Sequence, residues 1–219
     1  MYCNIRAYLQ CGVICDKYLP LDGILLYQQT LLDNGYPDNS IPGAYNASTK
    51  TRMLPIKVKH SGQSDWYYHC SWAQWSHNVE AQDKWCKRFD TRYSDAIDFG
   101  KRKGGVEVKK GHYRAYNMPV FYRVSEYVEW YCDGDIDAIE VLLSQITYIG
   151  KKRSQGWGRV AKWEVSEIDN DWSLIKDGNV TRGLPFSDIP PSVTFQPGHY
   201  GIRPSYWNSG NQMVLGLPV

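Results

Sequence analysis

The stretch DGDIDAIEVLLSQITYIGKKRSQGWGRVAKWEVSEI, residues 133–168, decides the fold. Its opening places Asp133, Asp135, Asp137 and Glu140 where the positive end of a helix attracts acids. Ile136, Ile139, Leu142, Leu143, Ile146 and Ile149 recur at helical spacing and form one apolar stripe, and Gly150 supplies the stop. From 160 to 168 the pattern changes to a period of two, with Val160, Lys162, Glu164 and Ser166 set against Ala161, Trp163, Val165 and Glu167. That is a strand. The stretch therefore reads as helix, glycine-rich basic loop, strand.

The loop, residues 150–159, packs four cations, three glycines, two small polar residues and an indole into ten positions without an intervening acid. Lys151, Lys152, Arg153 and Arg159 suit phosphate oxygens. Ser154 and Gln155 offer hydrogen bonds, and Trp157 can stack on an unpaired base for roughly 1–3 kcal/mol. Gly150, Gly156 and Gly158 permit positive φ and let backbone N–H groups approach an anion. The combination points to single-stranded or irregular RNA. A helix cap followed by a solvated turn is the competing reading. The order argues against a nucleotide-binding P-loop, since such loops follow a strand and open a helix.

Working outward, residues 119–132 are rich in Val, Tyr, Phe and Trp, but their alternation slips at Ser125-Glu126, so a bulged strand or two short strands are expected. At the start of the chain, residues 2–10 alternate, with Cys3, Ile5, Ala7 and Leu9 on the apolar face. Residues 21–32 set Leu21, Ile24, Leu25, Gln28, Leu31 and Leu32 near helical spacing, and Asn34-Gly35 supplies a stop. Residues 36–48 read as loop. Residues 53–60 and 66–72 read as strands joined by a turn at Ser61-Gly-Gln-Ser64. Between 73 and 111 neither period holds, and one helix is expected around 79–89. The resulting order predicts an α+β protein with a ferredoxin-like (RRM-like) βαββαβ core. The core spans 1–168 with a thumb-like insertion at 73–118. Residues 169–219 form an extension packing on it, with a candidate strand at 213–219.

A second basic patch lies in the insertion: Lys101, Arg102, Lys103, Lys109, Lys110, His112 and Arg114, opposed only by Glu107 and interleaved with Tyr113 and Tyr116. A turn at Gly104-Gly105 would make it a hairpin whose arms grip a backbone. A solvated basic loop competes on equal terms.

Bulk properties narrow the field. The formal charge is only +2 over 219 residues, so any nucleic-acid contact must come from local patches. The first residues lack a signal-peptide pattern and no apolar run approaches membrane length, so a cytoplasmic protein without a membrane partner is expected. Six cysteines are expected to be reduced. Only Cys11 and Cys15 lie close together, and no partner pair at zinc spacing follows, so neither metal nor other cofactor is expected.

These features resemble the RAMP superfamily of CRISPR-associated proteins, which use a basic glycine-rich loop between the last helix and last strand of a βαββαβ core on crRNA. Pro20-Leu-Asp-Gly-Ile-Leu-Leu-Tyr27 looks like the opening of the first helix in the subunit that holds the crRNA 5′ handle, and the whole is most similar to that subunit in type IV effector complexes. The resemblance implies a prokaryotic ribonucleoprotein of antiviral defence, in which this subunit caps a filament of backbone subunits. Its implied partners are the crRNA handle, a backbone subunit, the large subunit and, within the complex, target DNA. The insertion would stand where the family has a thumb that clamps the handle.

Some members cut precursor crRNA without metal, which needs a base near neutral pKa beside a cation. His112, between Lys110 and Arg114, is the histidine already in such a setting, whereas His69 lies inside an expected strand. No Ser/His/Asp or Cys/His arrangement stands out. The expected role is binding without catalysis, and a processing endoribonuclease is the alternative.

Overall fold

The computed structural model describes residues 1–33, 53–62, 65–77, 79–98, 100 and 105–219. Strand β1 (Tyr2–Leu9) follows its alternation: Cys3, Ile5 and Ala7 are sealed in the core, and Tyr2, Asn4, Arg6 and Tyr8 are half-buried on the other face. Helix α1 (Leu21–Asp33) buries Leu21, Leu25, Gln28 and Leu31, while Leu32 of the expected stripe is exposed. The stop at Asn34-Gly35 and the loop at 36–48 lie outside the described residues.

Strands β2 (Val58–Ser61) and β3 (Asp65–Tyr68) pair antiparallel, as expected for a hairpin, although Gln63 and Ser64 of its turn lie outside the described residues. They are followed by β4 (Gln74–Trp75), β5 (Val79–Lys87), β6 (Tyr116–Val124), β7 (Tyr127–Asp133), α2 (Ile136–Ser144) and β8 (Val160–Glu167). The slip at Ser125-Glu126 thus separates two strands. The Ser125 hydroxyl donates to the carbonyl of Tyr127 at 2.8 Å and meets the Ser76 hydroxyl at 2.8 Å, fixing the bend.

β4, β7, β1 and β8 form an antiparallel four-stranded sheet in that order. Its main apolar cluster joins Cys3, Ile5 and Ala7 of β1 and Val128, Trp130 and Cys132 of β7 to Leu21 and Leu25 of α1 and to Ile139, Leu142 and Leu143 of α2. Each large aliphatic chain so buried contributes about 1.5–3 kcal/mol. Among the described residues the architecture is mixed α/β, mostly strand, with α1 and α2 as its α-helices. Neither is long and apolar enough to cross a membrane.

Three expectations are corrected. The helix expected over 79–89 is strand β5, paired residue by residue with β6 from Val79–Val124 to Lys87–Tyr116. Long-range pairing wins there, and the polar residues carried on both faces of a two-stranded ribbon, Asp83 and Lys87 among Val79, Ala81 and Trp85 on the one that meets the loop, erase the alternation that would have announced it. Of the basic hairpin expected around Gly104-Gly105, residues 101–104 lie outside the described residues, and the described cations of 109–114 stand outside any strand, in the connection between β5 and β6. Finally, α2 ends at Ser144 with Gln145 as its cap, six residues before Gly150. Ile146 and Ile149 remain buried but in extended chain: the carbonyl of Ile146 accepts from the Trp163 indole at 2.7 Å, and that of Thr147 from Val160 N–H at 2.9 Å.

Beyond β8, the chain forms β9 (Ile175–Lys176), β10 (Asn179–Val180), β11 (Gln196–Gly201) and β12 (Gln212–Leu217). The apolar end does form a strand, and it pairs with β11. A second cluster gathers Val180, Leu184, Ile202, Leu215 and Leu217 around Tyr67 and Trp72. Arg182 anchors it. Fully buried, its guanidinium donates to the carbonyls of Tyr68, Cys70 and Ile202 and faces Asp22 of α1 at 3.7 Å. Removing one side of a buried pair of this kind costs about 3–5 kcal/mol.

Candidate nucleic-acid interface

The basic loop closes a short ladder. Ile149 N–H donates to the carbonyl of Gly158 at 2.8 Å, and Tyr148 bridges Arg159. Gly150, Gly156 and Gly158 have φ of 79°, 89° and 74°, and Lys152 has φ of 55°. The glycines at either end are required twice over, because a Cβ on Gly158 would stand 1.9 Å from the carbonyl oxygen of Ile149 and one on Gly150 would stand 2.5 Å from that of Ile14. Left-handed backbone at a lysine costs about 1–2 kcal/mol and persists only where the surroundings hold it.

Those surroundings are residues 11–16, which the sequence alone left without a role. Ile14 accepts from Lys151 N–H at 2.6 Å and Gly12 from Gly158 N–H at 2.9 Å. Cys11 Sγ donates to the carbonyl of Gly156 at 3.1 Å and accepts from Arg159 N–H at 3.2 Å. Close by, burial pushes the Cys15 thiol up to about 11, leaving it inert at neutral pH. The N–H groups of Lys151, Gly158 and Arg159 are thus spent inside the protein. The expectation that the glycines present backbone donors to an anion is corrected to that extent: Gly150 and Gly158 serve packing, and the open part of the loop is 152–156.

Each cation has a defined setting. Lys151 pairs with Asp16 at 2.6 Å on the surface, an interaction worth about 0–1 kcal/mol that a phosphate can replace at little cost. Lys152 Nζ sits 3.1 Å from the ring centre of Trp85 on β5, and the Arg153 guanidinium lies 4.3 Å from that of Tyr27 on α1. Arg159, Ser154 and Gln155 are exposed. Trp157 is half-buried, with its ring 4.6 Å from that of Tyr122 on β6 and tilted 48° to it, so part of the indole is already covered by protein.

Sequence reasoning therefore missed Trp85 and Tyr122, the aromatic partners that fasten loop to hairpin, and Tyr27, which ties Arg153 to α1. The signal available for Trp85 was the placement of Val79, Ala81, Asp83 and Trp85 at every second position, weak because its polar neighbours alternate poorly.

Of the second patch, Lys101, Arg102 and Lys103, with Gly104, lie outside the described residues. Lys109, Lys110, His112 and Arg114 are exposed. Lys110 meets Glu107 at 3.5 Å, and the His112 ring lies against Tyr113 at 5.2 Å. The carbonyl of His112 accepts from Lys87 Nζ at 2.6 Å, and Phe89 packs on Tyr113 at 5.1 Å. These contacts tie the connection to its own hairpin. Loop and hairpin meet instead at the inner face of the ribbon, where Trp85 and Tyr122 receive Lys152 and Trp157. Among the described residues no group of three or more His, Cys, Asp or Glu is placed to hold a metal.

Fold and site together define a strand-rich α/β protein that joins a rigid basic glycine loop to an aromatic-bearing hairpin on one surface. The family model of CRISPR type IV associated protein Csf3 matches residues 4–218, nearly the whole chain. The protein belongs to the Csf3 family and is thereby a CRISPR-associated subunit of type IV. No curated protein matches it.

Proposed function

We propose that this type IV CRISPR subunit binds crRNA at its 5′ handle, caps the filament of backbone subunits and does not cut RNA. The observation that carries the reading is the seating of Lys152 on Trp85 and of Trp157 on Tyr122, which gives the loop and the β5–β6 hairpin one common surface. Phosphates would meet Lys151, Lys152, Arg153 and Arg159, and unpaired bases would meet the aromatic planes beside them. Lys109, Lys110, His112 and Arg114, with Lys101, Arg102 and Lys103, would approach the same strand from the hairpin side.

In this reading the sheet order β4, β7, β1, β8 with α1 and α2 is a ferredoxin-like core whose second strand has shrunk to β4. Residues 1–168 would then be the core with its thumb-like segment at 73–118, and 169–219 the extension packed on it. The partners would be crRNA, the backbone and large subunits and, within the complex, target DNA, all in the prokaryotic cytoplasm.

Incubation of the purified protein with labelled repeat RNA in EDTA tests the reading. Binding with intact RNA is expected. Scission lost in His112→Ala would replace it with the processing endoribonuclease, and absence of binding would leave the basic surfaces facing another protein.

A further inference from the structure

A cleft of ≈ 290 Å³ opens between α1, the extended segment after α2 and the basic loop. Ile24, Tyr27, Gln28, Thr147, Tyr148 and Arg153 are among its walls. Tyr148, Lys151 and Arg153 also line the groove that runs over the loop with Lys152 and Ser154. The two spaces therefore adjoin across Lys151 and Arg153, and the cleft adds rings, aliphatic chains and an amide to those cations. Its volume is at the low end for small-ligand clefts, with room for one unstacked base and no duplex.

Gln28 gives the cleft its specificity. The residue is only 8 % exposed, yet its side-chain amide has no hydrogen-bond partner among the described residues, and it lines the cleft. The amide is reached from the cleft, so a ligand that satisfies both its donor and its acceptor is preferred to one that displaces water from it and satisfies neither. The Arg153 guanidinium, laid over Tyr27 at 4.3 Å, offers a plane on which a base can stack while its charge stays within reach of the backbone phosphate.

We propose that the cleft takes one unpaired nucleobase, adenine by preference, from the strand whose phosphates follow the loop, and that Gln28 reads its edge. The inference rests on the RNA-holding role proposed above. Adenine presents an amino donor beside a ring-nitrogen acceptor, the pair that a glutamine amide matches bidentately. Phosphate contacts along the loop set the register, and the cleft supplies a base-specific contact that the cations cannot.

Selection from a randomised single-stranded RNA pool, read by sequencing, tests this with the wild-type chain and with Gln28→Leu and Gln28→Met, which keep side-chain bulk. The wild type should enrich adenine at one position by on the order of tenfold. Both variants should bind the unselected pool within about threefold of wild type, as expected when phosphate contacts dominate affinity, and lose the enrichment. Binding without positional preference, or a preference that survives both variants, would overturn the cleft assignment and leave the RNA-holding role standing. Failure of the wild type to retain any RNA would overturn both.

Discussion

The loop at 150–159 and the connection between β5 and β6 carry similar charge and differ in how it is held. In the loop, three N–H groups are tied to residues 11–14 or to Cys11 Sγ, two glycines leave no space for a Cβ, and Lys152 and Arg153 are seated on rings. In the connection, Lys109, Lys110, His112 and Arg114 stand exposed, and a Cβ on Gly111 would meet nothing within 4 Å. The first arrangement has its conformational entropy already removed before a ligand arrives; the second leaves its cations free to adapt. Equal charge therefore need not mean equal contribution: a fixed array sets register, and an adaptable one adds affinity.

Glycine replacements break this contrast most sharply. Gly158→Ala puts a Cβ into the Ile149 carbonyl and should cost about 2–4 kcal/mol in chemical denaturation, with loss of RNA affinity. Gly156→Ala and Gly111→Ala, at φ of 89° and 69° in open space, should cost about 1–2 kcal/mol each. Equal costs at all three positions would mean that the ladder beneath the loop is not what holds it.

Limited trypsin digestion sharpens the contrast without mutation. Lys109, Lys110 and Arg114 should be cut first, and Lys151, Lys152 and Arg153 only after the protein opens, since cleavage needs locally extended chain. Early cuts within the loop would equate the two regions. A smaller effect is expected of Trp85→Ala, which removes the ring under Lys152. It should weaken RNA binding by about two- to fivefold, in line with an exposed cation–π contact of about 0.5–1 kcal/mol, as measured by fluorescence anisotropy.

How far the sequence carried the reading depends on whether the deciding contacts were local. The apolar face of β1, the helical stripe from Ile136 to Leu143 and the basic loop were legible, because each is written within about ten residues. Strand β5 was misread as a helix, since its identity comes from pairing with β6 across 29 or more residues and its exposed faces carry no alternation. The cradle of Cys11, Gly12 and Ile14 under the loop, and the Asp22–Arg182 pair that ties α1 to the C-terminal segment, join residues more than a hundred positions apart. No local period announces such contacts. Arg182 carried no reading in the sequence, and Gln28 stood there as one more position in an amphipathic helix.

The dependence of RNA affinity on salt, measured for the wild type and for Lys151, Lys152 and Arg153 replaced together by Ala, reports whether the fixed array meets phosphate. The slope of log affinity against log salt should flatten by up to about 0.7 for each cation lost, about 2 in all, with affinity falling as well. An unchanged slope would remove the loop from the RNA interface.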